Sequence, residues 1–245
     1  MTAAPEWLCQ RPFAHRGLHD RNAGVPENSL AAFTAAVDGG YAIELDVQTS
    51  RDNVVMVFHD AILNRMTGAA GALNETDSEH LATLHLGDSQ QAIPTLREVL
   101  NLVAGQVPLI VEIKSRPGAV GGIEGAVLPI LRAYEGPFAV TSFEARSLAW
   151  FRAREPHWPR GHNVGVAELP KFKPWWRRLA WRYLYDVDGA QANFVVYDRR
   201  DLPNWAAKRA RAMGKPLLSY TIKDAAEMER LAPHTDNIIF EGFHP

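Results

Sequence analysis

Eight short apolar runs alternate with segments of helical periodicity, and this alternation constrains the fold more than any other feature of the chain. The runs fall at 13–16, 42–48, 109–114, 138–142, 164–166, 193–197, 216–221 and 237–241. Helical segments fit between them, the first from about Ser29 with Asn28 or Ser29 as its cap, Leu30, Phe33 and Val37 on one face, and Gly39-Gly40 as its stop. Others are expected at about 95–103, 122–134, 145–154, 202–213 and 224–231. Strands joined by helical crossovers make a parallel sheet. Eight such units in 245 residues match a single (β/α)8 barrel, typically about 250 residues long. No glycine-rich dinucleotide fingerprint follows the first run, which disfavours a doubly wound open sheet. So few residues follow the last run that the eighth helix is expected to be missing or reduced, with one domain spanning 1–245.

One run breaks the alternation. Residues 54–58 read as a strand, yet lie too close to the second run for a parallel crossover, which needs about a dozen residues or more. An antiparallel hairpin is therefore predicted. With Asp52-Asn53 as a two-residue turn, Arg51 faces Val54 and His59 faces Asp46.

In Ile43-Glu44-Leu45-Asp46-Val47 the side chains alternate. A period of two sends Ile43, Leu45 and Val47 to one face and both acids to the other, inside the barrel. Ile110, Glu112 and Lys114 likewise share a face of the third run. Charges inside a barrel are costly unless compensated, and these stand at the carboxyl ends of strands, where such barrels carry their chemistry. A structural ion pair between Glu112 and Lys114 is the plainer reading of one strand; two strands with the same pattern favour a site. Three carboxylates without a nearby cysteine suit one hard divalent ion, Mg2+ or Ca2+. Arg16, ending the first run, and Lys114 add two cations suited to a phosphate. Three carboxylates, a divalent ion, two cations and a phosphodiester then balance in charge. His15 and His59 can reach the same mouth, and imidazole is suited to proton transfer near neutrality. The other histidines are read as ordinary core or surface residues.

Composition narrows the rest. A formal charge of −2 gives no general pull toward nucleic acid or an anionic surface, and the lone Cys9 excludes an internal disulfide framework. Residues 1–12 hold no apolar leader core and no run of 18 or more apolar residues occurs, so a soluble cytoplasmic protein is expected. Between 171 and 185, five basic residues interleave with six aromatic ones. The plainer reading is a loop and helix laying its aromatics on the barrel; the functional one is a weak peripheral membrane contact. Nucleic-acid binding is not expected, because no recognised fold accompanies the patch. No oligomeric state is implied.

Ala14-His15-Arg16-Gly17, Pro26-Glu27-Asn28-Ser29 with Ala32-Phe33, Glu44-Leu45-Asp46-Val47 and Val57-Phe58-His59-Asp60 together resemble the amino-terminal signature of the glycerophosphodiester phosphodiesterase family. Ile93-Pro94-Thr95-Leu96, Val111-Glu112-Ile113-Lys114 and Thr141-Ser142-Phe143 continue the resemblance, which thins after about residue 145. It implies a (β/α)8 barrel that hydrolyses glycerophosphodiesters to sn-glycerol 3-phosphate and an alcohol with a divalent ion. It further implies Glu44, Asp46 and Glu112 as metal ligands, His15 and His59 as the acid/base pair, and Arg16 and Lys114 as phosphate contacts. Residues 61–92 resemble the family's insertion, which would fold over the mouth and contact the glycerol end. Phe143, Tyr197 and Tyr220, at strand ends, are candidates for the glycerol pocket. The chain departs from the resemblance at Tyr220, where many relatives have tryptophan, and in its final residues, which bears on substrate preference. The alternatives are a related barrel acting on lysophospholipid, a catalytically silent binding barrel, and a sugar-phosphate isomerase or aldolase that would need no carboxylate-held ion.

Overall fold

In the computed structural model, which describes residues 3–116, 118–165 and 191–245, the predicted strands are β1 (Phe13–His15), β2 (Ala42–Thr49), β4 (Leu109–Ile113), β5 (Phe138–Ser142), β6 (Arg160–Val164), β7 (Phe194–Asp198), β8 (Leu217–Ile222) and β9 (Asn237–Phe240), with the hairpin arm β3 (Val55–Val57). Hydrogen-bonded neighbours follow the order β1-β9-β8-β7-β6-β5-β4-β2-β3, and β1 also pairs with β2. The pairing thus returns to its first strand, the topology of a (β/α)8 barrel, with β3 added antiparallel to β2. No helix follows β9 in residues 241–245. The segment 171–185 lies outside the described residues. Among the described residues no helix is long and apolar enough to cross a membrane.

The chain divides into two compact units, Ala14–Phe138 and the combination of Met1–Phe13 with Ala139–Pro245. In the first, α1 (Leu30–Asp38) is capped by Ser29, whose side chain accepts a hydrogen bond from the Ala32 N–H. The helix buries Ala32, Phe33 and Ala36, a face one step from the expected Leu30–Phe33–Val37 line. Asn28 is not the cap; it has another task at the site. The short helices α2 (Asn64–Thr67) and α3 (Ser78–Leu81) follow β3 within the insertion. There Leu63, Met66, Leu73, Leu81, Leu86 and Ile93 close with Met56 and Phe58 into a buried cluster of their own. Each such side chain contributes about 1.5–3 kcal/mol by leaving water, which gives the insertion a fixed shape. Next, α4 (Leu96–Val103) starts from a capping box between Thr95 and Glu98. Strands β2 and β4 pair in parallel with Asp46 beside Glu112, and α5 (Gly122–Arg132) leads away from β4.

The hairpin differs from its prediction by one residue. Val47 pairs with Val57 and Thr49 with Val55, so the turn holds three residues, Arg51-Asp52-Asn53, and Asn53 takes a left-handed φ of 62°. A turn ending in a left-handed residue is the common three-residue hairpin. Phe58, not His59, therefore lies opposite Asp46, its N–H donating to the Asp46 carbonyl at 3.0 Å.

In the second unit, α6 (Ala145–Arg154), α7 (Trp205–Ala212) and α8 (Ala225–Leu231) accompany strands β5 to β9. Strand β6 begins four residues before the run read from the sequence, because its buried residues Arg160, His162 and Asn163 are polar and mask the strand pattern. Gly161 is required there: a Cβ would stand 2.4 Å from the ring of Phe194, its partner on β7.

Candidate active site

The charged residues gather within the unit Ala14–Phe138. Glu44, Asp46 and Glu112 are buried at 4%, 1% and 8% exposure, and one carboxylate oxygen of each lies within 4.8 Å of the others. Alternation along β2 and the parallel register with β4 produce this arrangement directly. Lys114 reaches back from the end of β4, its Nζ 2.8 Å from Asp46 Oδ1 and 2.5 Å from Glu112 Oε1.

Beyond β1 the chain turns sharply. Arg16 has a φ of 58° and Gly17 a φ of 81°, and a Cβ on Gly17 would stand 2.8 Å from that of Ala32. Holding a non-glycine residue in this region costs about 1 kcal/mol or more, and polar contacts on every side fix it. The Arg16 N–H donates to Glu44 Oε2 at 3.2 Å, its Nε lies 3.2 Å from Asp46 Oδ2, and its Nη1 donates to Glu27 Oε1 at 2.6 Å. Asn28, also left-handed at φ 55°, donates its N–H to the Arg16 carbonyl at 2.8 Å and its side-chain amide to Asp46 Oδ2 at 3.0 Å. Asn28 thus orients the carboxylate that Arg16 and Lys114 both face.

The histidines flank the cluster differently. His15 Nε2 lies 4.0 Å from Glu44 Oε2. His59 follows the end of β3, and despite the shifted register its charge is close enough to help lower the pKa of Asp46. Two side chains hold it. Gln48 donates its side-chain amide to the carbonyls of Phe58, His59 and Asp60 at 3.0, 3.0 and 2.7 Å, and His59 Nδ1 sits 2.7 Å from Asp60 Oδ1. With Nδ1 engaged by a carboxylate, Nε2 is the ring nitrogen turned away from Asp60.

Charge is distributed unevenly over the carboxylates. Burial, reinforced by the Asp46 and Glu112 charges, pushes Glu44 well above the usual carboxylate range. Glu112 is also raised, by burial against the opposing pull of Lys114. Asp46 is driven well below that range: burial opposes this, but Lys114, His59 and Arg16 outweigh it. Glu27 is brought to about 2, burial being outweighed by Arg65 and Arg16. Negative charge is therefore best stabilised at Asp46, where three cationic groups converge. Three carboxylate oxygens this close, with no sulfur or imidazole nitrogen among them, suit a hard divalent cation.

Phe143, Tyr197 and Tyr220 belong to the other unit. Phe143 and Tyr220 pack edge to face with ring centroids 6.2 Å apart, and the Tyr220 hydroxyl donates to the Val164 carbonyl at 3.3 Å. Tyr197 is fully buried. Glu27, Asn28, Gln48, Asp60 and Arg65 were not among the site residues expected from the sequence, Asn28 being read only as a possible helix cap. Three of these stood inside the family-like motifs; Gln48 and Arg65 carried no signal beyond their residue types.

Comparison with known proteins follows the same lines. Over 96% of its length the chain superimposes on a phosphodiesterase from Oleispira antarctica solved with the product sn-glycerol-3-phosphate, covering 94% of that chain with a TM-score of 0.80 at 24% identity. A glycerophosphodiester phosphodiesterase structure from Thermotoga maritima matches 93% of the chain and 92% of its own with a TM-score of 0.71 at 23% identity. In sequence, the glycerophosphodiester phosphodiesterase of Caldanaerobacter subterraneus is 33% identical over 66% of the chain and 68% of its own length. That of Bacillus altitudinis is 35% identical over 59% of the chain and 62% of its own. The alignments thus span about two thirds of these relatives. The class defined is that of phosphoric diester hydrolases built on a (β/α)8 barrel. Within it, the chain belongs to the glycerophosphoryl diester phosphodiesterase family, whose model matches residues 15–235.

Proposed function

We propose that this chain hydrolyses glycerophosphodiesters to sn-glycerol 3-phosphate and an alcohol, using one divalent ion, Mg2+ or Ca2+, held by Glu44, Asp46 and Glu112. The observation that carries the reading is the convergence of those three carboxylates within 4.8 Å, bordered by Lys114 and Arg16. The substrate class is supported by the product bound to the Oleispira antarctica relative.

When bound, the ion supplies Lewis-acid polarisation of the phosphoryl oxygens. Arg16 and Lys114 bind the phosphodiester and stabilise the charge that grows on it in the transition state. Both are already oriented by carboxylates, so little reorganisation is needed as that charge develops. His15 and His59 form the acid/base pair: one takes a proton from the nucleophile, either water or the glycerol hydroxyl beside the phosphate, whose cyclic product water then opens, and the other gives a proton to the departing alcohol oxygen. Asp60 keeps the His59 ring turned so that Nε2 is the working atom, and Gln48 holds the backbone that carries it.

The test is product analysis. Purified protein incubated with glycerophosphocholine, glycerophosphoethanolamine and glycerophosphoglycerol should release glycerol 3-phosphate, and EDTA should stop the release. Hydrolysis confined to lysophospholipids, or release unaffected by the chelator, would contradict the proposal.

A further inference from the structure

The insertion supplies one side chain that reaches both sides of this apparatus. Arg65 stands in α2 between Leu63 and Met66, which are 1% and 6% exposed in the insertion's own apolar cluster. Its guanidinium is spent on two carboxylates. Nε donates to Asp60 Oδ2 at 2.5 Å and Nη2 to Asp60 Oδ1 at 3.1 Å. Nη1 donates to Glu27 Oε2 at 2.9 Å and Nη2 to Glu27 Oε1 at 2.7 Å. Asp60 in turn holds His59 Nδ1, and Glu27 holds Arg16 Nη1. Each carboxylate therefore lies between Arg65 and a group of the reaction.

We infer that Arg65 is a positioning residue, fixing His59 through Asp60 and Arg16 through Glu27, so that the packed insertion sets the geometry of a proton-transfer group and a phosphate-binding group together. The inference rests on the roles proposed above for His59 and Arg16. A surface ion pair would be worth little, but this one differs. Glu27 is only 8% exposed, and a planar fork meeting two carboxylates defines direction as well as charge. The neighbouring Arg21 cannot substitute, since it reaches Glu27 only at 3.6 Å and is 69% exposed. A lysine at position 65 would keep the charge and lose the fork.

The two arms predict different kinetic effects, which a purely structural role would not separate. Arg65→Gln should lower kcat by about 10–100-fold, the usual loss on removing an outer partner of an active-site group, and raise KM through the freed Arg16. Arg65→Lys should restore only part of either. In a His59→Ala background Arg65→Gln should cost only the smaller part of the kcat loss that passes through Arg16, while the KM rise persists. Asp60→Asn, which leaves the Arg65–Glu27 bonds in place, should reproduce the His59 part of the kcat loss without the KM rise, and tests the same arm if Arg65→Gln fails to fold. An unchanged kcat in Asp60→Asn, or an equal kcat loss from Arg65→Gln with and without His59, would overturn the inference. Wild-type kcat in His59→Ala itself would instead remove the functional reading beneath it, so the two failures can be told apart.

Discussion

Replacing His59 by alanine is expected to lower kcat by about 10²–10⁴-fold, the contribution of a positioned general acid or base. The substitution removes the imidazole and leaves its supports in place, because Gln48 holds the loop through backbone carbonyls. The ring is 28% exposed and sits at the edge of the cluster, not in a packed core. The melting temperature should therefore stay within a few degrees of wild type, and KM should change far less than kcat. Steady-state kinetics on one glycerophosphodiester, with thermal unfolding of the same preparation, checks the prediction. Near-wild-type turnover would exclude His59 from proton transfer.

Replacing Lys114 by methionine acts on stability and catalysis together. Its ammonium lies between Asp46 and Glu112, and its removal leaves two buried carboxylates without their shared cation. Breaking a buried ion pair by deleting one partner costs about 3–5 kcal/mol; Lys114 keeps 20% exposure, so the lower end of that range is expected. Burial alone would lower the lysine pKa, but Asp46 and Glu112 raise it above its ordinary value. A raised folded-state pKa means that the stabilisation is complete below about pH 10.4 and declines as the pH rises further. The deficit of the variant should accordingly be full at pH 7, measured by urea unfolding in EDTA, and a divalent ion should recover part of it. Even at saturating metal, kcat should fall by about 10²–10³-fold, as when one charge-stabilising donor is lost.

Much of this site was legible because strand periodicity is a short-range property. Ile43, Leu45 and Val47 alternating with Glu44 and Asp46 reveal an acidic inner face without any knowledge of tertiary structure, and Glu112 with Lys114 repeats the pattern. What escaped depends on backbone choices or on long-range contacts. The hairpin slipped by one residue because Asn53 adopts a left-handed conformation that lengthens the turn. Strand β6 was displaced because Arg160, His162 and Asn163 are polar yet buried. Asn28 reads as a helix cap from its neighbours, but its side chain serves Asp46. The link from Arg65 to Glu27 spans 38 positions, and no local pattern encodes it.

Hydrolysis is expected to depend on one ion held by the three carboxylates. Titrating Mg2+ or Ca2+ into chelator-stripped protein, while following heat and glycerol 3-phosphate release in parallel, checks this dependence. One ion should bind per chain, activity should rise with the same saturation, and both should be lost in Asp46→Asn. Full hydrolysis by the stripped protein, or ion binding unchanged in Asp46→Asn, would contradict it.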